Sequence, residues 1–251
     1  MAETKTAFVQ GASRGIGLEF VRQLLERDRD ARVIASCRSP GEATELLSLA
    51  ERSADRLLVT RLDVQDEASI ADAAEHTEKE ARRLTLLVNA AGVLHGPGFT
   101  PEKKLGHVDP SSLRQVFEVN AFGPLLVAKH FAKLFRHDES AVYASLSARV
   151  GSISDNRLGG WYAYRGSKAA QNMFTKTLAL EMQRIAPRTA VIGLHPGTVD
   201  TDLSKPFQRN VPKGKLFEVA YSVSQLLAVI DGVTPSDSGR VFDFAGSEVP
   251  P

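Results

Sequence analysis

Between Thr6 and Leu25 the chain passes from a short apolar run ending at Gln10, through Gly11-Ala12-Ser13-Arg14-Gly15-Ile16-Gly17, into a helix-forming amphipathic stretch that begins at Leu18. Strand, glycine turn and helix in that order constrain the fold more than any other feature. The first glycine permits the tight turn, and the later ones let a phosphate approach the backbone and the helix pack closely on the strand. The first amides of the helix then face an anion. The spacing here is Gly-x-x-x-Gly-x-Gly rather than the commoner Gly-x-Gly-x-x-Gly, so the position between strand and helix carries the inference, not the glycines alone.

The rest of the chain repeats the alternation. Apolar strands are expected near residues 5–10, 31–36, 57–62, 84–89, 140–146, 189–194 and 240–244, with helical stretches between them. Leu84-Thr85-Leu86-Leu87-Val88 is apolar nearly throughout, as a parallel strand covered by helices on both faces should be. This predicts an α/β fold, a doubly wound parallel sheet. No linker, charge block or repeat divides the chain, so residues 1–251 are expected to form one domain. Asp109 is the expected N-cap, and Pro110 the first residue, of a long helix carrying Asn120. In such sheets ligands bind beyond the carboxyl ends of the strands. The glycine turn, Arg38, Asp63, Asn89, Ser147 and Pro196 all follow strand ends, so one crevice can collect them.

Tyr164 and Lys168 stand four residues apart on an expected helix, which places phenol and ammonium on one face. A free tyrosine has a pKa of about 10. A fixed cation nearby would lower it and let the phenol act as an acid near neutral pH. Ser145 and Ser147 share one face of a strand of period two, and both are candidates for bonding a reacting oxygen.

Taken in order, the glycine turn, Leu62-Asp63-Val64, Asn89-Ala90-Ala91-Gly92, Asn120, Ser147, Tyr164-x-x-x-Lys168 and Pro196-Gly197-Thr198-Val199-Asp200-Thr201 resemble the motifs of the short-chain dehydrogenase/reductase family over almost the whole chain. Within that family, Ser147 to Ile153, Gly159 to Tyr164 and His195 to Phe207 resemble most the C-factor signalling proteins and sniffer-type carbonyl reductases. The resemblance implies a Rossmann fold and a catalytic set of Asn120, Ser147, Tyr164 and Lys168. In that set Ser147 bonds the carbonyl or alcohol oxygen and Tyr164 gives the proton. Lys168 lowers the tyrosine pKa and holds the nicotinamide ribose, and Asn120 anchors a water leading to solvent. It implies cofactor contacts from Gly11, Ser13, Arg14, Gly15, Ile16 and Gly17 in the turn. Further contacts would come from Asp63, Val64, Asn89, Ala90, Ala91 and Gly92 after the third and fourth strands, and from Pro196, Gly197, Val199 and Thr201 near the nicotinamide. Gln10 departs from the family, which often has threonine there, so the hydrogen bond that ties the turn to a neighbouring strand must be replaced or lost.

A 2'-hydroxyl on the adenine ribose is usually held by an acid at the end of the second strand, whereas a 2'-phosphate calls for a cation. This strand ends Ala35-Ser36-Cys37-Arg38 with no acid, and Arg14 lies inside the turn. Two guanidinium groups favour NADP(H). The expected activity is reduction of small aldehydes or ketones. The rivals are a cofactor-binding signalling or sensor protein of the C-factor type and an NAD-dependent alcohol dehydrogenase.

Partners are limited by composition. The 31 basic and 30 acidic side chains give a net charge of +1, which excludes a broad field for nucleic acid or anionic membrane. No apolar run of bilayer length exists, and Met1-Ala2-Glu3-Thr4-Lys5 lacks a signal-peptide core. A cytoplasmic location follows as the expectation. Cys37 is the only cysteine and the six histidines show no metal spacing, so no metal site is expected. His95 and His195 fall near the crevice. Trp161 is open to a pocket role or a packing role. The family's habit of pairing its long helices, here about residues 111–136 and 161–185, allows a homodimer, and the sniffer-type likeness allows a monomer.

Overall fold

The computed structural model describes residues 5–251, so the inference drawn from Met1 to Thr4 lies outside the described residues. Nine strands and seven α-helices alternate among the described residues. β1 (Thr6–Gln10), β2 (Arg32–Cys37), β3 (Leu57–Arg61), β4 (Leu86–Asn89), β5 (Ala141–Leu146), β6 (Thr189–His195) and β9 (Val241–Asp243) form one parallel sheet in the order β3-β2-β1-β4-β5-β6-β9. The order reverses between β1 and β4, the switch point where such sheets open a crevice. β7 (Thr198–Val199) and β8 (Leu216–Phe217) pair separately.

The helices are α1 (Gly15–Arg27), α2 (Thr44–Arg52), α3 (Glu67–Ala81), α4 (Pro110–Phe117), α5 (Gly123–Phe131), α6 (Tyr162–Ile185) and α7 (Val219–Gly232). The apolar runs of the strands are explained by cover on both sides. Ala7, Val9 and Val88 pack with Leu18 and Val21 of α1 and Val223 and Leu226 of α7. Phe8, Leu87 and Val191 face the other way, into Ile70 of α3, Phe131 of α5 and Met182 of α6. Cys37 is buried in the first of these layers, and its burial raises the thiol pKa.

The single long helix expected over 111–136 is divided. Asp109 caps α4 by accepting from the Ser112 amide at 2.8 Å, with Pro110 at the first position. After Phe117 the chain makes a π-helical turn, Glu118–Phe122, before α5 resumes, and Ala132–Phe135 is 3-10. Pro124 supplies a reason: it has no N–H to offer the carbonyl four residues back, which belongs to Asn120. Of the apolar side chains on the two long helical segments, Val116, Phe131, Leu134, Phe135 and Met182 are spent on the core. Met173 and Leu180 on α6 are 65% and 50% exposed, and Phe122 and Leu125 are partly so. No helix among the described residues is long and apolar enough to cross a membrane.

Candidate active site

The glycine turn follows β1 as the sequence requires. A Cβ on Gly11, whose φ is +81°, would stand 2.6 Å from the Ala91 amide nitrogen, and one on Gly17 would stand 2.1 Å from the Gly11 carbonyl oxygen. Only glycine lets turn, helix and the β4 loop close on one another. The Gly11 and Ala12 amides are already committed to the Ser36 carbonyl at 2.9 Å. The amides that open α1 have no side-chain cap, and the first turn carries no acidic residue. A 13-residue helix with bare N-terminal amides fits a pyrophosphate. Thr201 lies across from this turn, its methyl 3.6 Å from where a Gly15 Cβ would be. The bond missing for want of threonine is replaced: Gln10 Oε1 accepts from the Ala91 amide at 3.1 Å.

Arg38, directly after β2, is exposed and makes no ion pair among the described residues, so its guanidinium is available to a phosphate. Arg14 is also exposed, but it pairs with Asp202 at 3.4 Å. The two arginines are therefore not equivalent. Asp63 Oδ1 accepts from the Gln65 amide at 3.1 Å, and Val64 is packed against Gly123. The Asn89 side chain is turned into the sheet, donating to Tyr143 Oη at 2.8 Å and Ser145 Oγ at 3.1 Å. Any cofactor contact from Asn89 must come from its backbone or from Ala90, Ala91 and Gly92 beyond it.

Those bonds also separate the two serines. Ser145 is buried against Asn89, whereas Ser147 lines a cleft of about 450 Å³ shared with Tyr164, Trp161, Pro196 and Phe207. Ser147 Oγ donates to Asn172 Oδ1 at 2.6 Å. Asn172 went unnoticed in the sequence, although its spacing was a signal: it stands four residues after Lys168 and eight after Tyr164, on the same face of α6.

Tyr164 sits in the first turn of α6, its ring edge-on to Trp161 with centroids 6.2 Å apart. Its hydroxyl has no hydrogen-bond partner among the described residues. Lys168 is buried, with Nζ donating to the Leu146 carbonyl at 2.7 Å and Gln171 Oε1 at 2.9 Å, and lying 5.9 Å from the Tyr164 ring centroid. The expected lowering of the tyrosine pKa is absent from this arrangement. Desolvation pushes the phenol up to about 12 and the ammonium down to about 7. Burial opposes both charged forms, and a lysine that titrates near neutrality offers the phenol less than a full charge.

Asn120 lies within the π turn. Its side chain is committed twice to Val93, accepting from the amide and donating to the carbonyl at 2.8 Å each, and it also donates to Ser167 Oγ at 3.1 Å. Gly92 fills the space between: a Cβ there would lie 3.4 Å from Asn120 Oδ1 and 3.8 Å from Lys168 Nζ. Asn120 can therefore serve a water relay only through the backbone carbonyl that Pro124 leaves without an α-helical donor. Beyond β6, Pro196 accepts from Ser222 Oγ at 2.8 Å, and Val199 accepts from Ser204 Oγ at 2.5 Å, which pins the 196–204 loop over the cleft. His195 lines the cleft too, its pKa driven down to about 4 by desolvation, so it is neutral at physiological pH. Among the described residues no three His, Cys, Asp or Glu side chains come together in an arrangement that could hold a metal ion.

A sequence model described as short chain dehydrogenase matches residues 5–212. C-signal of Myxococcus xanthus is 38% identical over 146 residues, covering 58% of this chain and 82% of that protein. The NADPH-bound carbonyl reductase from chicken fatty liver superposes with a TM-score of 0.87 at 29% identity, over 99% of each chain. Carbonyl reductase Sniffer of D. melanogaster has the same TM-score at 24% identity over 99% of this chain and 100% of its own, a likeness of fold.

Proposed function

The chain belongs to the short chain dehydrogenase family, and we propose that it is an NADPH-dependent oxidoreductase that reduces the carbonyl group of small aldehydes or ketones, reversibly, with Tyr164 as the proton donor. The observation that carries this is the unpartnered Tyr164 hydroxyl in a cleft with Ser147, with the Lys168 ammonium one helical turn behind it.

The bare amides at the start of α1, Arg38, the 90–92 loop and the 196–201 loop would hold the dinucleotide, with Lys168 toward the ribose. When bound, the reduced nicotinamide supplies a hydride to the carbonyl carbon. Negative charge then develops on the carbonyl oxygen, and preorganised donors aimed at that oxygen lower the barrier. Ser147 supplies one by turning its hydroxyl from Asn172 to the substrate oxygen. Tyr164 supplies the proton, and Lys168 favours the phenolate that remains. The Asn120 carbonyl would hold a water through which the proton is replaced. The structural likeness to an NADPH-bound carbonyl reductase supports the choice of cofactor and reaction.

The cofactor assignment makes a measurable claim. NADPH is expected to bind more tightly than NADH. Arg38→Ala is expected to remove about 1.5 to 3 kcal/mol from NADPH binding, the usual worth of a charge-assisted phosphate contact, with little change for NADH. Arg14→Ala should matter less, since Asp202 already takes its charge. Titration of purified protein with both reduced cofactors checks this, and equal affinities in the parent would overturn it. A panel of carbonyl compounds followed at the nicotinamide absorbance band tests the activity itself. Cofactor binding without turnover of any of them would favour instead a sensor of the kind the C-signal likeness suggests.

A further inference from the structure

Arg157 and Arg165 on the cleft, and four more cations in the 203–217 segment that borders it, pair with no carboxylate among the described residues. Arg149, Arg157 and Arg165 all line the cleft. Arg149 is neutralised, pairing with Asp155 at 3.1 Å and Asp243 at 3.4 Å. Arg165 is half-buried, and its bonds go only to carbonyl oxygens: Nε to Gly159 and Gly160 at 3.2 and 3.1 Å, and Nη1 to Val150 at 3.4 Å. Desolvation lowers its pKa, the direction expected for a cation that no anion compensates. Arg157 is exposed and forms no ion pair among the described residues.

The opposite wall repeats the imbalance. Residues 203–217 put Leu203, Phe207 and Val211 on the cleft. The same segment carries Lys205, Arg209, Lys213 and Lys215 and not one Asp or Glu. None of these four pairs with a carboxylate among the described residues. Of the acids that flank the segment, Asp200 is bonded to Gln208 at 2.8 Å and Asp202 to Arg14 at 3.4 Å, and Glu218 is exposed with no ion pair among the described residues. In a chain whose net charge is only +1, these cations make a local positive field beside an apolar lining of Leu94, Trp161 and Phe207, with the exposed Leu158 at its edge. Low-dielectric walls lined by one sign of charge concentrate ligands of the other sign.

We propose that the substrate is an aldehyde or ketone with an apolar body and a carboxylate at the end away from the carbonyl, its anion received by Arg165 and Arg157. This rests on the carbonyl-reductase function above. Arg165 is suited to the task because three carbonyl bonds fix its plane while Nη2 has no partner among the described residues, and a fixed planar guanidinium matches a planar carboxylate. The lysines of 205–215 act at longer range, by steering.

The test compares 4-carboxybenzaldehyde, its methyl ester and 4-formylbenzenesulfonate as probes. Trp161 is the only tryptophan and lines the cleft, so its fluorescence reports binding without turnover. The carboxylate is expected to bind, and to be reduced in kcat/KM, about tenfold better than the ester at low salt, an advantage that fades as salt screens the cations. Arg157→Glu and, separately, the surface double variant Lys213→Glu with Lys215→Glu should bring the ratio of acid to ester toward one, mainly through KM. Arg165→Lys, which keeps the charge but loses the fork, should lower it partly.

Equal binding of acid and ester by the parent would overturn the proposal, as would charge reversals that raise the KM for NADPH and leave the ratio alone. A preference for the sulfonate over the carboxylate would overturn the planar match. Carboxylate-selective binding with no reduction of any probe would uphold the anion site and count against the reductase function, so the two failures are distinct.

Discussion

Tyr164→Phe is expected to lower carbonyl reduction by about 100-fold to 10,000-fold, the range lost with a well-placed general acid. The substitution deletes one oxygen atom that has no hydrogen-bond partner among the described residues. The ring keeps its edge-on contact with Trp161 and its place 5.9 Å from the Lys168 ammonium. NADPH affinity and thermal stability should therefore stay near those of the parent. Single-turnover reduction, measured beside a cofactor titration followed by Trp161 fluorescence, separates the two. Turnover close to the parent's would remove Tyr164 from the role of acid.

Lys168→Met is expected to damage two parameters at once, lowering turnover by about 100-fold or more and weakening NADPH binding, because the proposed mechanism has one ammonium serve both phenolate and ribose. It also has an opposite effect on the free protein. The folded chain holds this amine at a pKa of about 7 against an ordinary 10.5. Between those values the unfolded chain binds more protons, so stability rises with pH across that window. The parent thus carries a buried-charge penalty at neutral pH that fades toward about pH 10, and the variant has no such term. Without cofactor, Lys168→Met should melt higher than the parent at about pH 7, and the gap should narrow as the pH is raised. Calorimetry over that range checks the sign. A variant that melts lower at every pH would mean the amine's two hydrogen bonds outweigh its desolvation.

The sheet was legible because its strands must be apolar on both faces, and Phe8 with Val9 or Leu87 with Val88 announce that directly. The glycine turn was legible for a steric reason, since a side chain at Gly11 or Gly17 would meet backbone within 3 Å. What stayed hidden depends on which of several partners a polar side chain chooses. Gln10 could have left the turn untied, yet it reaches the Ala91 amide. Asn89 follows a strand end like the other crevice residues, but its amide turns inward to Tyr143 and Ser145. Arg14 and Arg38 looked alike by position, and of the two only Arg14 pairs with a carboxylate among the described residues. The pairing of Tyr164 with Lys168 was readable from spacing, whereas the balance between attraction and desolvation that sets their pKa values needs the depth of the cleft.

The π turn at Glu118–Phe122 has a genetic counterpart. An α-helix advances about 100° per residue, and a π turn absorbs one residue more than an α turn does, as a single-codon insertion in a helix would. The extra residue uncouples two registers. The phase of α4 carries Asn120 to the β4 loop, while the phase of α5 points Val127 and Phe131 into the layer beneath the sheet. Deleting Glu118 would remove the extra residue and leave every hydrophobic residue of the segment present, while Pro124 would still deny an amide to the carbonyl four residues back. The deletion would also rotate one half against the other by about a quarter turn, so that the core residues of α5 and the contact of Asn120 with Val93 could no longer both be in phase. The segment therefore tolerates substitution far better than it tolerates a change of length.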